Sequence, residues 1–74
     1  MVIKIYTGAG CYHCKEAKEF FAKNNIEYLE FDVYKEKAAY DFVLSQGGQL
    51  PIIEINNTVY KGFDAKLIRE ALKL

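Results

Sequence analysis

The sequence predicts an α/β domain: a four-stranded mixed sheet with helices on both faces, in the order β-α-β-α-β-β-α. Three observations predict it. β-rich runs alternate with runs of helical periodicity over the first two-thirds of the chain, the pattern of a βαβ unit. Two further β-rich runs are separated only by Asn56-Asn57, which reads as a tight hairpin. A last helical run, Ala65 to Leu72, follows the hairpin.

Each element has its own local reason. Val2-Ile3-Lys4-Ile5-Tyr6 is apolar on both faces, so it belongs in the middle of a sheet covered on both sides. Thr7-Gly8-Ala9-Gly10 is a small-residue turn that delivers the chain to Cys11. From Tyr12 to Lys23 the pattern is helical, with Cys14, Ala17 and Phe21 on one face. Asn24-Asn25 stops that helix, because Asn tolerates the left-handed conformation. Glu27 to Asp32 alternates as a strand, and a right-handed crossover should set it parallel to the first. Lys35 to Gln46 is again helical, with Ala38, Ala39, Phe42 and Val43 inward, and Gly47-Gly48 ends it. Pro51–Ile55 and Thr58–Lys61 are the hairpin strands. Gly62-Phe63 leads to Asp64, a good N-cap. Leu67, Ile68, Ala71 and Leu72 form the expected buried side of the last helix.

Composition bounds the function. The 74 residues suit one domain, residues 1–74. At 51% hydrophobic and 27% charged, the chain is too apolar for disorder and too charged for a membrane protein. Lys+Arg and Asp+Glu number 10 each, and that balance argues against a nucleic-acid partner. No apolar run approaches the ~18 residues of a membrane span. Met1-Val2-Ile3-Lys4 does not read as a signal peptide. A cytoplasmic monomer with no membrane partner is the expectation.

The two cysteines are Cys11 and Cys14. A disulfide between them would close a small ring and staple almost nothing, because chain-entropy stabilisation grows with loop length. The pair therefore reads as chemical rather than structural. Its place in the chain supports this. Cys11 follows a strand and opens a helix, where unpaired N–H groups and the positive end of the macrodipole favour an anion. Such a position can lower a cysteine pKa from about 8.5 to roughly 3.5–7.5, and the thiolate is the nucleophile of disulfide exchange. One helical turn separates the Cα atoms by about 5–6 Å, within the disulfide window. Cys11 can attack a substrate disulfide and Cys14 can resolve the mixed disulfide. Two ordinary buried thiols are the plain alternative.

C-x-x-C beside a βαβ pattern reads as a thioredoxin-like redox motif. With Ile5-Tyr6-Thr7 ahead of Gly10-Cys11, then Cys14, Ala17, Lys18 and the later Leu50-Pro51, the chain resembles a glutaredoxin over essentially its whole length. The resemblance implies the thioredoxin fold and thiol–disulfide exchange on protein or glutathione mixed disulfides. It implies no tightly bound cofactor and no metal, with glutathione as a co-substrate. A similarly short branch, the hydrogen donors of ribonucleotide reductase, instead draws electrons from a thioredoxin-reductase-type donor. That branch often shows a Gly-Phe pair after the last strand, as Gly62-Phe63 does here. The resemblance also implies a cis bond before Pro51, which would turn the Leu50 backbone towards Cys11 to pair with an extended substrate. Substrate-binding roles follow for Tyr12, His13, Leu50, Pro51, Gly62, Phe63 and Asp64. Each has a plainer reading. Tyr12 and His13 could be exposed surface, Leu50 core, Gly62 a turn and Asp64 a helix cap.

Departures from the family pattern sharpen the expectation. The middle pair is Tyr12-His13 where Pro-Tyr is usual. Gly8 stands where many members carry Lys or Arg for a glutathione carboxylate. The acidic pair after the glycine turn is reduced to Asp64, followed by Ala65. Val2–Tyr6 has no acid to serve Cys14 as proton acceptor, which leaves water or His13. Two other functions use the same cysteines. One is a soft-metal carrier, since small copper chaperones also place C-x-x-C after a first strand, but in a βαββαβ order. The other is an iron–sulfur cluster shared by two chains, because a cluster needs four ligands.

Overall fold

The computed structural model describes residues 1–74. Its strands are β1 (Ile3–Thr7), β2 (Leu29–Asp32), β3 (Ile52–Ile55) and β4 (Thr58–Lys61). Its helices are α1 (Tyr12–Lys23), α2 (Lys37–Ser45) and α3 (Ala65–Leu72). The sheet order is β2-β1-β3-β4. β1 runs parallel to β2, with Ile5 opposite Glu30, and antiparallel to β3, with Ile5 opposite Ile53. β3 and β4 are the hairpin, with Ile55 opposite Thr58. Asn56 and Asn57 both take positive φ, 48° and 74°, as a two-residue hairpin turn of this hand requires.

The mixed sheet separates two cores. Ile3 and Ile5 of β1 and Ile53 and Ile55 of β3 point to one face. There they meet Ala17 and Phe21 of α1 and Ile68 and Leu72 of α3. Phe21 has no exposed surface, so its burial stabilises the fold by about 1.5–3 kcal/mol. On the other face Ile52 meets Val33 and, from α2, Ala39 and Val43, with Tyr6, Phe31 and Phe42 packed alongside. The period of two along β1 thus sends successive residues to different helices.

α1, β4 and α3 span the residues read from the sequence. α2 is shorter than expected, Lys37–Ser45 rather than Lys35–Gln46. The cause is a local turn built on Asp32. Its carboxylate accepts the Tyr34 N–H at 2.9 Å, and its carbonyl accepts those of Lys35 and Glu36 at 3.0 Å. Such side-chain bonds compete with a helix start. Ala38 and Leu67 are exposed rather than inward. On α3 the inward positions are Ile68 and Leu72, four apart, and Leu67 lies about 100° around from Ile68. No helix is long and apolar enough to cross a membrane.

Candidate active site

β1 ends at Thr7, and α1 begins at Tyr12 after four intervening residues. Gly10 makes the bend at φ 77°, a conformation that suits glycine. Cys11 is the N-cap of α1, with extended backbone. Its Sγ accepts the N–H of Cys14 at 3.1 Å. No acidic residue lies in the first turn to compete for the free N–H groups.

Cys11 and Cys14 are joined as a disulfide, with Cα atoms 5.3 Å apart. The two are unequally accessible. Cys14 is 2% exposed, on the buried face of α1, whereas Cys11 is only half-buried. The cavity beside them, about 430 Å³, is lined by the turn from Gly8 to Tyr12 together with Cys14, Lys15 and Lys18. An incoming sulfur therefore reaches Cys11 first.

Charge around the pair is mostly basic. Lys15 is exposed, and Lys18 is held by Glu30 of β2 at 3.1 Å. The same Glu30 carboxylate accepts the hydroxyl of buried Thr7 at 2.7 Å. The Thr7 hydroxyl and the Lys18 ammonium hold the Glu30 carboxyl below the usual range, against the opposing effect of burial. His13 lies outside the cysteine cavity. It stays exposed, and its Nδ1 sits 2.6 Å from Oε1 of Glu16. Tyr12, 69% exposed, meets the His13 ring edge-on.

The later residues arrive at the same end of the sheet, where the start of β3 lies beside the end of β1. Leu50-Pro51 is a cis bond, as the family resemblance implied. The Pro51 carbonyl accepts the Gly62 N–H at 2.7 Å, which ties the start of β3 to the end of β4. The N–H and C=O of Leu50 find no partner within the chain. A Leu50 methyl lies against Gly8, at the edge of the cysteine cavity. Gly62 and Asp64 instead line a separate groove of about 310 Å³ beside Leu67 and Ile68. Phe63 packs on Phe20 with ring centres 5.6 Å apart, part of the α1–α3 core. The Asp64 carboxylate caps α3, accepting the N–H groups of Lys66 at 3.0 Å and Leu67 at 3.3 Å. The geometry thus gathers Cys11, Tyr12, Cys14 and, at the rim, Leu50, but sets His13, Phe63 and Asp64 apart. Sequence reading missed Thr7, Glu30 and Tyr34, whose ring closes over Gly8. The strand register sets Thr7 opposite Asp32 and Ile5 opposite Glu30, so no cross-strand pairing marked the Thr7–Glu30 bond in the sequence.

The glutaredoxin family model matches residues 3–60. The chain belongs to the glutaredoxin family. An uncharacterized glutaredoxin-like 8.6 kDa protein from the rubredoxin operon of Clostridium pasteurianum is 32% identical over 66 residues, covering 85% of this chain and 87% of that one. The crystal structure of the thioredoxin-like protein BC3987 superposes with a TM-score of 0.83 at 34% identity, over 93% and 97% of the two chains. The glutaredoxin-like NrdH-redoxin of Escherichia coli, described as having a thioredoxin-like activity profile, gives 0.86 at 25% identity, over 95% and 93%. The fold is thioredoxin-like, and this glutaredoxin-like redox protein carries its cysteine pair at the start of α1. Its βαβαββα order also differs from the βαββαβ order of the copper chaperones.

Proposed function

We propose that the chain is a dithiol–disulfide oxidoreductase acting on protein disulfides, with residues 1–74 as one working domain. The observation that carries the reading is the Cys11–Cys14 disulfide at the N-cap of α1, with only Cys11 open to a partner. In the reduced form the Cys11 thiolate attacks one sulfur of a substrate disulfide. That S–S bond breaks, and the departing sulfur leaves as a thiolate that takes up a proton. Cys14 then loses its proton to water and attacks Sγ of Cys11. The mixed disulfide breaks, the second substrate thiol leaves, and the Cys11–Cys14 disulfide forms. Two electrons and two protons pass to the substrate. Water takes the Cys14 proton in this scheme because His13 is engaged with Glu16 on the outer side of α1.

Leu50 offers its unpaired N–H and C=O to an extended substrate segment, in the manner of strand addition. Pro51 and Gly62 hold that segment's edge, and Tyr12 shields the sulfurs. A reductase of the thioredoxin-reductase type restores the dithiol. Glutathione is the weaker donor, because Gly8 provides no cation for its carboxylates and Asp64 already fills the α3 N-terminus. The comparison with NrdH-redoxin supports the same preference. The protein works as a cytoplasmic monomer without a resident cofactor.

The test is the Cys11–Cys14 redox equilibrium in glutathione buffers, read by mass after alkylation. Reference values are about −270 mV for thioredoxin and about −200 to −230 mV for glutaredoxins. A potential near the first value, with slow glutathione exchange, fits a reductase-coupled donor. Fast equilibration through a glutathionylated intermediate near the second range makes glutathione the donor.

A further inference from the structure

Gly8 is under a constraint that its backbone does not explain. Gly10, Gly47, Gly48 and Gly62 have positive φ, but Gly8 does not. What it needs is space. A Cβ on Gly8 would lie 2.8 Å from Cε2 of Tyr34 and 2.9 Å from Cδ1 of Leu50. Two side chains from distant parts of the sequence thus converge on one bare Cα at the edge of the cysteine cavity.

Tyr34 is nevertheless 67% exposed. Only the Cδ2–Cε2 edge of its ring rests on Gly8. Its root is firm. The Tyr34 N–H is held by the Asp32 carboxylate at 2.9 Å, and the Val33 N–H by the Thr7 carbonyl at 2.9 Å. Tyr34 therefore holds an open aromatic ring on a fixed stalk. It is the side-chain type that most often anchors an interface, because it presents a large area with few rotors to freeze. Next to it, Leu50 presents an apolar side chain and an unpaired backbone N–H and C=O. A backbone donor and acceptor beside an aromatic wall suits an extended polypeptide carrying an apolar side chain. A small carboxylate-rich thiol finds no cation at position 8, since the ring stands where a longer side chain there would have to go, and the cavity's lysines, Lys15 and Lys18, belong to α1 instead.

We infer that Tyr34, seated on Gly8 beside Leu50, determines specificity: it packs on an apolar residue next to the disulfide cysteine of a polypeptide paired with the Leu50 backbone. This rests on the thiol–disulfide exchange proposed above and names the substrate class of the same site.

The experiment compares rates at which the full-length reduced protein reduces two probes. One is a short peptide with Leu next to a cysteine held in a mixed disulfide, and the other is glutathione disulfide. The ratio of kcat/KM for the two probes is the readout. Tyr34→Ala should lower the peptide-to-glutathione ratio by about tenfold, the size of one apolar contact in a specificity pocket. The change should lie mainly in the peptide KM, and Tyr34→Phe should keep the ratio. Gly8→Ala, which pushes the ring away without removing it, should lower the ratio in the same direction. Replacing the peptide's Leu by Asp should lower the wild-type ratio and leave Tyr34→Ala little further to lose. An active wild type whose ratio is unmoved by Tyr34→Ala and Gly8→Ala overturns the inference alone. A wild type inert towards both probes overturns the exchange reading, and the inference with it.

Discussion

The N-termini of α1 and α3 share one backbone shape and differ in the atom that closes them. Cys11 has φ −91° and ψ 107°, and Asp64 has φ −122° and ψ 106°. At α3 the acceptor is a carboxylate, which takes two N–H groups whatever the redox state of the cysteines. At α1 the acceptor is sulfur, which takes the single N–H of Cys14. A disulfide sulfur is a weak acceptor, whereas a thiolate in the same place is an anion at the positive end of a helix. One cap is therefore permanent and the other changes strength with redox state. N–H groups of the kind that merely stabilise α3 would, at α1, favour a Cys11 thiolate once the pair is reduced. α2 completes the contrast, because its cap residue Glu36 makes no side-chain bond at all.

The most severe way to break this comparison is to remove the sulfur. Cys11→Ser keeps a capping oxygen but should abolish disulfide turnover, measured with a small disulfide and a reductase or chemical dithiol. Cys14→Ser should keep attack by Cys11 and stall at a mixed disulfide, visible by mass. The next effect strikes both helices at once. Phe21 lies on the face where α1 and α3 meet the sheet. Phe21→Ala should cost about 3–5 kcal/mol in denaturant unfolding, a large share of the ~5–15 kcal/mol that a small domain holds.

Asp64→Ala sharpens the contrast between the caps. It should cost about 1 kcal/mol, by the same amount in the dithiol and disulfide forms, because the α3 cap is not part of the redox pair. Thr7→Val gives the smallest effect. Glu30 has its carboxyl lowered chiefly by the Thr7 hydroxyl. A carboxyl lowered in the folded state contributes stability above its unfolded value of about 4.3, and that contribution is lost as pH falls through the lower folded value. Removing the hydroxyl should flatten the acid limb of a stability–pH curve. At neutral pH the cost should stay below about 1 kcal/mol, because the Glu30 side chain is 37% exposed and water screens it.

Much of this arrangement was legible in residue order. The spacing of Cys14, Ala17 and Phe21 named the inner face of α1, and all three are buried. Asn56-Asn57 marked the hairpin because both residues tolerate positive φ. Asp64 was readable as a cap for the chemical reason that it is one. The start of α2 was not, because the Asp32 turn holds Lys35 and Glu36 outside a helix that propensity alone would let them join. The contact of Tyr34 with Gly8 was hidden for a different reason. It joins two residues in different turns, so no periodicity marks it. Gly8 could be read only as an absent cation, and what fills the space appears once β1 and β2 are paired.

In the reduced protein Cys11 should be the thiolate that the α1 N-terminus stabilises. The direct measurement is the alkylation rate of each cysteine in the reduced protein as a function of pH, resolved by mass. Cys11 should react first, with half-maximal rate well below the ~8.5 of an unperturbed cysteine, while Cys14 stays slow until higher pH. Equal reactivity of the two cysteines, or a Cys11 profile centred on the unperturbed value, would contradict it.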